Sequence, residues 1–403
     1  MNKKSIPAIL YLNLHTSMEL IATCAFGLEK LVYDELKKLK LWVIKTEDGR
    51  VTFEGDQLAL IRTNLWLRSA DRVQIKMGEF TATNFDDLFD HIIDLPWENY
   101  IGPDDVFPVQ ATSVKSALHS EPAIQSIVKK AIVNRLMDQH RTDTLPENST
   151  ATYQIVIKAN KDQFIVTIDS SGDSLHKRGY RLKANLAPIK ETLAAALLQF
   201  SDWPASVASA TPRTLVDPFC GSGTIAIEAS LIAQNVAPGI KRKFAFLSWP
   251  WIEPNKLEEA YLEARNSVKE PQKLPIYCFD IDPETLIIAK QNAKRAGLEH
   301  LNFKRADFNE LDWSKFENCT FVTNPPYGER LDDTDEVHDI YYKLGQQFAK
   351  TNNCSLYIIT SDEAFPELFH EATNRYPDKN RKLFNGNIRC YLYQYFPQPK
   401  NQN

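Results

Sequence analysis

Apolar positions along this chain keep two alternating rhythms, and the rhythm changes every ten to twenty residues. Residues 19–24 read as a strand. Phe26, Leu28, Leu31, Val32, Leu36 and Leu39 then trace one helical face at spacings of three and four. Trp42-Val43-Ile44 and Val51-Thr52-Phe53 flank Glu47-Asp48-Gly49, a hairpin signal. Val73-Gln74-Ile75-Lys76-Met77 alternates with period two. A helix is predicted over 85–95, stopped at Pro96, a strand over 107–111 and an amphipathic helix over 123–139. A polar loop covers 141–150. Residues 153–158 and 164–168 form a second alternating pair that turns at Asn160-Lys161-Asp162.

Beyond residue 200 the pattern becomes short apolar runs separated by helical stretches. Strands are predicted at 214–217, 275–280, 301–306, 319–323 and 355–360. Such alternation favours an α/β class with a doubly wound parallel sheet. Residues 388–395 alternate and close that sheet as a late antiparallel strand. The stretch 239–274 is extra. Its Phe244, Phe246, Trp249, Trp251 and Tyr261 read as a helical insertion packed on the sheet. A place beside a substrate is the lesser option, best suited to Trp249 or Trp251. The divisions expected are 1–70 and 71–170, both α+β, a linker at 171–190, and an α/β domain at 191–403 carrying the insertion 239–274.

Composition changes the picture in three places. At 403 residues the chain is expected to hold two or three domains, and 43% hydrophobic with 25% charged residues is ordinary for a globular protein. No apolar run is long enough to span a membrane, and Glu19 interrupts the first apolar stretch, so no secretory signal is expected. Cysteines 24, 220, 278, 319, 354 and 390 include no Cys-x-x-Cys pair and fall mostly in apolar runs. Buried reduced thiols, no zinc and a cytoplasmic location follow as expectations. Net charge is −5, and residues 1–180 hold 21 Lys and Arg against 24 Asp and Glu. Global charge therefore gives no argument for a polyanionic partner. Local patches would have to supply it, with Lys115, Lys129, Lys130 and Arg135 as candidates beside the alternative of a solvated helix face.

Two motifs carry chemistry. Asn324-Pro325-Pro326-Tyr327-Gly328 follows the apolar run at 319–323, and the prolines stop the strand because neither can donate to a ladder. Asn324 thus stands at a strand's carboxyl end, where open α/β sheets bind ligands. Its amide oxygen and the Pro325 carbonyl suit the two protons of an exocyclic amine, and Tyr327 offers a ring face for a base. A plain Asn-Pro turn is the alternative. The second motif, Asp217-Pro218-Phe219-Cys220-Gly221-Ser222-Gly223-Thr224, is a strand end, a glycine turn and a helix start. Gly221 and Gly223 permit close approach of a ligand, Ser222 or Thr224 can cap the helix, and the helix N-terminus offers free amides to an anionic group. Neither the dinucleotide fingerprint nor a P-loop is present. Asp280 ends the next strand and is placed to bind ribose hydroxyls, while Asp282 reads as the cap of a helix over 283–296.

With both motifs present, the chain resembles the S-adenosylmethionine-dependent amino-methyltransferases of nucleic acids. Residues 169–181 (Asp-Ser-Ser-Gly-Asp-Ser-Leu-His-Lys-Arg-Gly-Tyr-Arg) and 187–195 resemble the segment that joins a THUMP domain to its methyltransferase. The run from Asn324 to Leu331 resembles the 23S rRNA guanine-N2 methyltransferases, and residues 1–70 resemble the ferredoxin-like domain that precedes many THUMP domains. The resemblance implies a Rossmann-like C-terminal domain and S-adenosylmethionine as cofactor. It would be held by Asp217, Phe219, Gly221, Gly223, Thr224, Asp280, Asp307 and Phe308, with Asp307 toward the adenine amine, Phe308 on the ring and Asp217 toward the methionine amine. Asn324, Pro325, Pro326 and Tyr327 would be the catalytic set, with no metal and no covalent nucleophile. RNA is the implied partner, 23S rRNA ahead of tRNA. DNA adenine-N6 methylation and a non-catalytic RNA-binding assembly factor stay open, as does the oligomeric state.

Overall fold

A twelve-residue strand organises the N-terminal half. In the computed structural model, which describes residues 17–181, 189–207, 209–270, 274–326 and 334–398, Ala70–Thr81 pairs along both edges. The elements before it are β1 (Met18–Cys24), α1 (Glu29–Lys38), β2 (Trp42–Glu47), β3 (Arg50–Gly55) and α2 (Gln57–Trp66), and it is β4. After it come α3 (Phe85–Ile93), β5 (Val109–Val114), α4 (Glu121–His140), β6 (Gln154–Asn160) and β7 (Gln163–Asp169). The strand order is β2-β3-β1-β4-β7-β6-β5. Ile75 stands opposite Leu20 of β1 on one side and Ile168 of β7 on the other. The two α+β regions expected from sequence therefore share one sheet. The expected strand at 107–111 begins at Val109, because Pro108 has no amide to donate.

The C-terminal half contains α5 (Glu191–Phe200), α6 (Trp203–Val207), β8 (Thr214–Asp217), α7 (Thr224–Ala233), α8 (Pro254–Asn266), β9 (Ile276–Asp280), α9 (Pro283–Ala296) and β10 (Asn302–Arg305). It continues with β11 (Cys319–Thr323), α10 (Thr334–Phe348), β12 (Ser355–Thr360), α11 (Phe365–Thr373), β13 (Lys379–Asn385) and β14 (Ile388–Tyr395). The order is β10-β9-β8-β11-β12-β14-β13, parallel from β10 to β12, with β14 antiparallel to both β12 and β13. The late antiparallel strand is where it was expected, and β13, which was not expected, pairs outside it. Val216, Phe321, Leu356 and Ile358 of the central strands are buried with Tyr341, Phe348 and Phe365 of the helices. All six cysteines are buried thiols outside any disulfide. Among the described residues no helix is long and apolar enough to cross a membrane.

The insertion departs from expectation. Arg242–Glu263 clusters with the N-terminal unit, not with the C-terminal sheet. Trp249 stacks on Tyr153 at 4.9 Å and donates its indole N–H to the Thr152 carbonyl at 2.9 Å. Trp251 packs against Tyr100 and Trp249. Both indoles are buried there, which is the core-packing role first expected for them. Two units result, one of Met1–Cys24, Val32–Leu175 and Arg242–Glu263, the other of Ala25–Leu31, His176–Lys241 and Ala264–Asn403. The stretch expected as a linker is divided between them. Ser170 and Ser171 bond Asn64 at 2.9 and 2.6 Å in the first unit.

In the second unit, residues 178–181 are fixed by buried charge. Glu228 of α7 has no exposed surface. It accepts a hydrogen bond from the Tyr180 hydroxyl at 3.0 Å and lies 3.6 Å from the Arg178 guanidinium. Arg181 lies 3.6 Å from Glu191 of α5, whose carboxyl is pushed up by burial. Removing one partner strands the other charge in a low dielectric, which costs more than the pair itself is worth. Glu228→Ala should therefore lower the unfolding free energy in urea by about 3–5 kcal/mol. A loss under ~1 kcal/mol would mean the cluster is not a structural anchor.

Candidate active site

Because β8 leads outward through β9 and β10 and the chain then returns to β11 on its other side, β8 and β11 lie adjacent with the strand order reversing between them. Crevices at such reversals bind ligands at the carboxyl ends of the strands. Here the two ends carry the two sequence motifs. Asp217 closes β8 and is 2% exposed. Its Oδ1 accepts from the Thr323 hydroxyl of β11 at 2.7 Å and from the Phe219 amide at 3.2 Å. Burial pushes its carboxyl up to about 7, against the two hydrogen bonds, which act downward.

A cavity of about 830 Å³ opens at this point. Asp217, Phe219, Gly221, Thr224, Asp280, Asp307, Phe308, Asn324 and Pro326 all line it, so most of the residues chosen from sequence converge. Pro325 is buried and is not among the lining residues, and Tyr327 lies outside the described residues. The two glycines part company. A Cβ on Gly221 (φ +52°) would meet nothing within 4 Å, which leaves open space on the cavity side. On Gly223 (φ +81°) it would strike the Phe303 ring at 2.8–2.9 Å and crowd Ala289. Gly223 therefore serves the packing of α7 and not the approach of a ligand.

Neither Ser222 nor Thr224 caps α7. Gly223 occupies that position and no side chain bonds the first amides. The Thr224 hydroxyl instead accepts from Arg181, which also donates to the Ile189 carbonyl at 3.0 Å. Asp280 accepts from the Gly221 amide at 2.8 Å and the Asp282 amide at 3.0 Å, and burial raises its pKa. It ties the glycine loop to β9 and keeps acceptor capacity on each oxygen. Asp282 caps α9 through the Glu284 amide at 2.9 Å, as expected. Asp307 caps the short turn after β10 through Asn309 at 2.9 Å, and Phe308 meets Phe219 at 4.9 Å.

Asn324 is 8% exposed, and its Oδ1 is buried without a hydrogen-bond partner. A buried acceptor left open costs roughly 1–3 kcal/mol, so it calls for a reason. The next carbonyl but one, on Pro326, is engaged by the Tyr341 hydroxyl at 3.4 Å. Sequence reasoning missed Ile281, exposed on the wall beside Asp280, and Glu336, Asp339 and Ile340 of α10. Only the position of Ile281 next to Asp280 could have signalled it. Among the described lining residues there are six carboxylates (Asp217, Asp280, Asp282, Asp307, Glu336 and Asp339) and no lysine, arginine or histidine. Such a cavity suits a cationic ligand with an apolar, hydrogen-bonding body and repels phosphates.

The comparisons with known proteins agree with this geometry. Residues 178–394 match the RMKL-like methyltransferase domain family, 19–74 the RlmL ferredoxin-like domain and 82–169 the THUMP domain. YpsC of Bacillus subtilis (strain 168), named as a candidate RNA methyltransferase, is 44% identical over 95% of this chain and 97% of its own. The ribosomal RNA large subunit methyltransferase K/L of Syntrophotalea carbinolica is 33% identical over 94% of this chain. The chain spans about half of that relative's length, 53%. The crystal structure of SMU.472, a candidate methyltransferase complexed with SAH, superposes with a TM-score of 0.87 at 41% identity, covering 95% of this chain and 99% of that one.

Two outcomes test the site. Gly221→Ala should cost only about 1–2 kcal/mol of stability yet weaken S-adenosylhomocysteine binding roughly tenfold or more by filling the open space. Gly223→Ala should lose about 1–3 kcal/mol more through overpacking against Phe303. Equal effects of the two on calorimetric affinity would remove the distinction. The second outcome concerns pH. A cation beside Asp217 favours its ionised form, which the free protein populates only above about 7. Below that value binding must expel a proton, so Kd should rise roughly tenfold per pH unit as pH falls, until the carboxyl's value in the complex is reached. Asp217→Asn should flatten this profile in titration calorimetry, and an unchanged slope would clear Asp217 of the role.

Proposed function

The chain belongs to the RMKL-like methyltransferase family, and from that premise we propose that it transfers a methyl group from S-adenosylmethionine to the exocyclic N2 of a guanine in RNA, with 23S rRNA favoured over tRNA. The observation that carries the chemistry is the unpartnered, buried Oδ1 of Asn324 on the wall of an acid-lined cavity. RNA as the substrate is supported by the THUMP match at 82–169 and by the printed names of YpsC and the K/L relatives. The guanine rests on the likeness of residues 324–331 to guanine-N2 enzymes.

The lining residues fit the cofactor. Asp280 would take ribose hydroxyls on the acceptor capacity that Gly221 and Asp282 leave. Asp307 would accept from the adenine amine, and Phe219, Ile281 and Phe308 would enclose the ring. Asp217 would face the methionine ammonium, and the uncapped amides of α7 its carboxylate. When bound, S-adenosylmethionine supplies a methyl on a positively charged sulfur, an electrophile in its own right. The chain's own contribution is alignment and acceptance of hydrogen bonds from the amine. An exocyclic amine is a poor nucleophile because its lone pair is delocalised into the ring. Asn324 Oδ1, with the Pro325 carbonyl as second acceptor, would hold the two amine hydrogens and let the nitrogen become tetrahedral. Those bonds strengthen as positive charge develops, so they favour the transition state over the ground state. Tyr327 is assigned to stacking on the extruded base.

The decisive assay is methyl transfer to total RNA and to DNA, followed by nucleoside analysis. N2-methylguanosine in large-subunit rRNA is expected. N6-methyladenine in DNA would overturn the proposal, and cofactor binding without transfer to either would favour the assembly-factor reading. Asn324→Ala should lower the single-turnover rate on the order of a hundred- to a thousand-fold, as loss of one transition-state hydrogen-bonding partner does elsewhere. Cofactor affinity should change little. Near-normal transfer by this variant would make Asn324 a strand-ending turn residue only.

A further inference from the structure

Two of the four basic residues first expected to face RNA are spent on internal partners. Lys129 Nζ lies 2.7 Å from Glu147 and donates to the Phe107 carbonyl at 3.2 Å. Arg135 holds Glu98 through two bonds of 3.0 and 2.6 Å. Another part of the same unit carries positive charge that is not so consumed. Residues 32–45 hold four lysines and two acids. One of those acids, Glu35, is buried on the Arg68 amide and the Ser69 amide and hydroxyl. Lys37, Lys38 and Lys40 are exposed and make no ion pair among the described residues.

Beside them stands Trp42, at the start of the edge strand β2, with 68% of its surface exposed. Tryptophan is on average well buried, so an indole left this open is unusual. Ile44, two residues on, is exposed as well. The Lys37 ammonium lies 5.2 Å from the centre of the Trp42 ring and 5.7 Å from that of Tyr33. An exposed ring with the Lys37 ammonium beside it, and Lys38 and Lys40 exposed nearby in sequence, has the parts of a single-strand platform: a face for a base and cations for the phosphates that flank it. In a chain of net charge −5 this is a local exception to the prevailing sign.

On the reading of the substrate as RNA, we propose that Trp42 with Lys37, Lys38 and Lys40 is a docking platform for a single-stranded RNA segment, separate from the cavity that takes the target base. A nucleotide satisfies both groups at once, base against indole and phosphate against ammonium. Lysines on an edge strand also guard against strand-to-strand aggregation. That role explains Lys45, paired with Glu47 at 2.8 Å, and gives no reason to expose the indole.

The test uses the full chain, a short labelled oligouridine and deproteinised large-subunit rRNA, with affinity read by anisotropy across a salt series. Trp42→Ala should weaken binding about 5- to 100-fold, the range for losing one base–aromatic stack, and Trp42→Tyr should recover most of it. Replacing Lys37, Lys38 and Lys40 together by glutamine should reduce the salt slope by about 2. S-adenosylhomocysteine affinity and melting temperature should stay at wild-type values, since the altered side chains are exposed. Unchanged RNA affinity in both variants would overturn the platform. So would loss of a dimer in sedimentation with RNA binding intact, because the patch would then be a contact between copies. If the wild-type chain binds RNA without methylating it and the variants lose that binding, the proposed activity fails and the platform stands. If it binds no RNA, both fail.

Discussion

The hydrogen bond from Thr323 to Asp217 is the contact on which the catalytic geometry depends. It joins β8 and β11 where the order of strands reverses, and each strand ends in one of the two motifs. A shift between these strands would move Asn324 relative to the glycine loop, and methyl transfer tolerates little misalignment. The bond has a cost. It holds a carboxyl in a nearly dry site, which raises its proton affinity until it stands at about 7. A solvated aspartate at the same place would be ionised without a ligand and would have less to gain from a cation. The burial that fixes the strands also makes the group responsive to what enters the cavity.

Two glycines one residue apart divide the neighbouring work. Gly223 is required from behind, because Phe303 and Ala289 leave no room for a side chain. At Gly221 nothing in the protein competes for the space, which the proposed reading leaves to the cofactor. Asp280 accepts from the Gly221 amide, so the acid proposed to meet ribose also sets the loop's position. On that proposal loop shape and cofactor recognition would be one hydrogen-bond system, and a change at Asp280 would disturb both.

Much of this was readable from residue order. Strands 214–217, 319–323, 355–360 and 388–395 keep the bounds that their apolar patterns gave, because a buried strand must be apolar on whichever face is covered. β13 was missed since Lys379–Asn385 is mostly polar and buries only Leu383; its pairing with β14 makes it a strand. The aromatic run at 244–251 announced burial, and composition cannot say against which surface. Tyr153, Thr152 and Tyr100 supply that answer. Nor could sequence show that Lys129 and Arg135 of α4 are held by acids. Sequence counts charges, whereas Glu147 and Glu98 decide which of them are left for a partner.

The cavity's charge constrains how a polyanion can be handled at all. Six carboxylates without a cation among the described lining residues would repel a phosphate backbone over roughly the 8 Å Debye length of physiological salt. A neutral base meets no such barrier. On the proposed reading the site would select an extruded nucleotide by admitting its base and holding off its backbone. Extrusion costs a few kcal/mol, which contacts elsewhere on the protein have to offset. A net negative chain cannot draw that energy from its overall field. It must come from short-range pairs and stacking, which makes a small patch of unpaired lysines around an open indole more useful than a diffuse excess of positive charge. On the proposed reading such a patch would bind RNA without drawing it toward the acid-lined cavity.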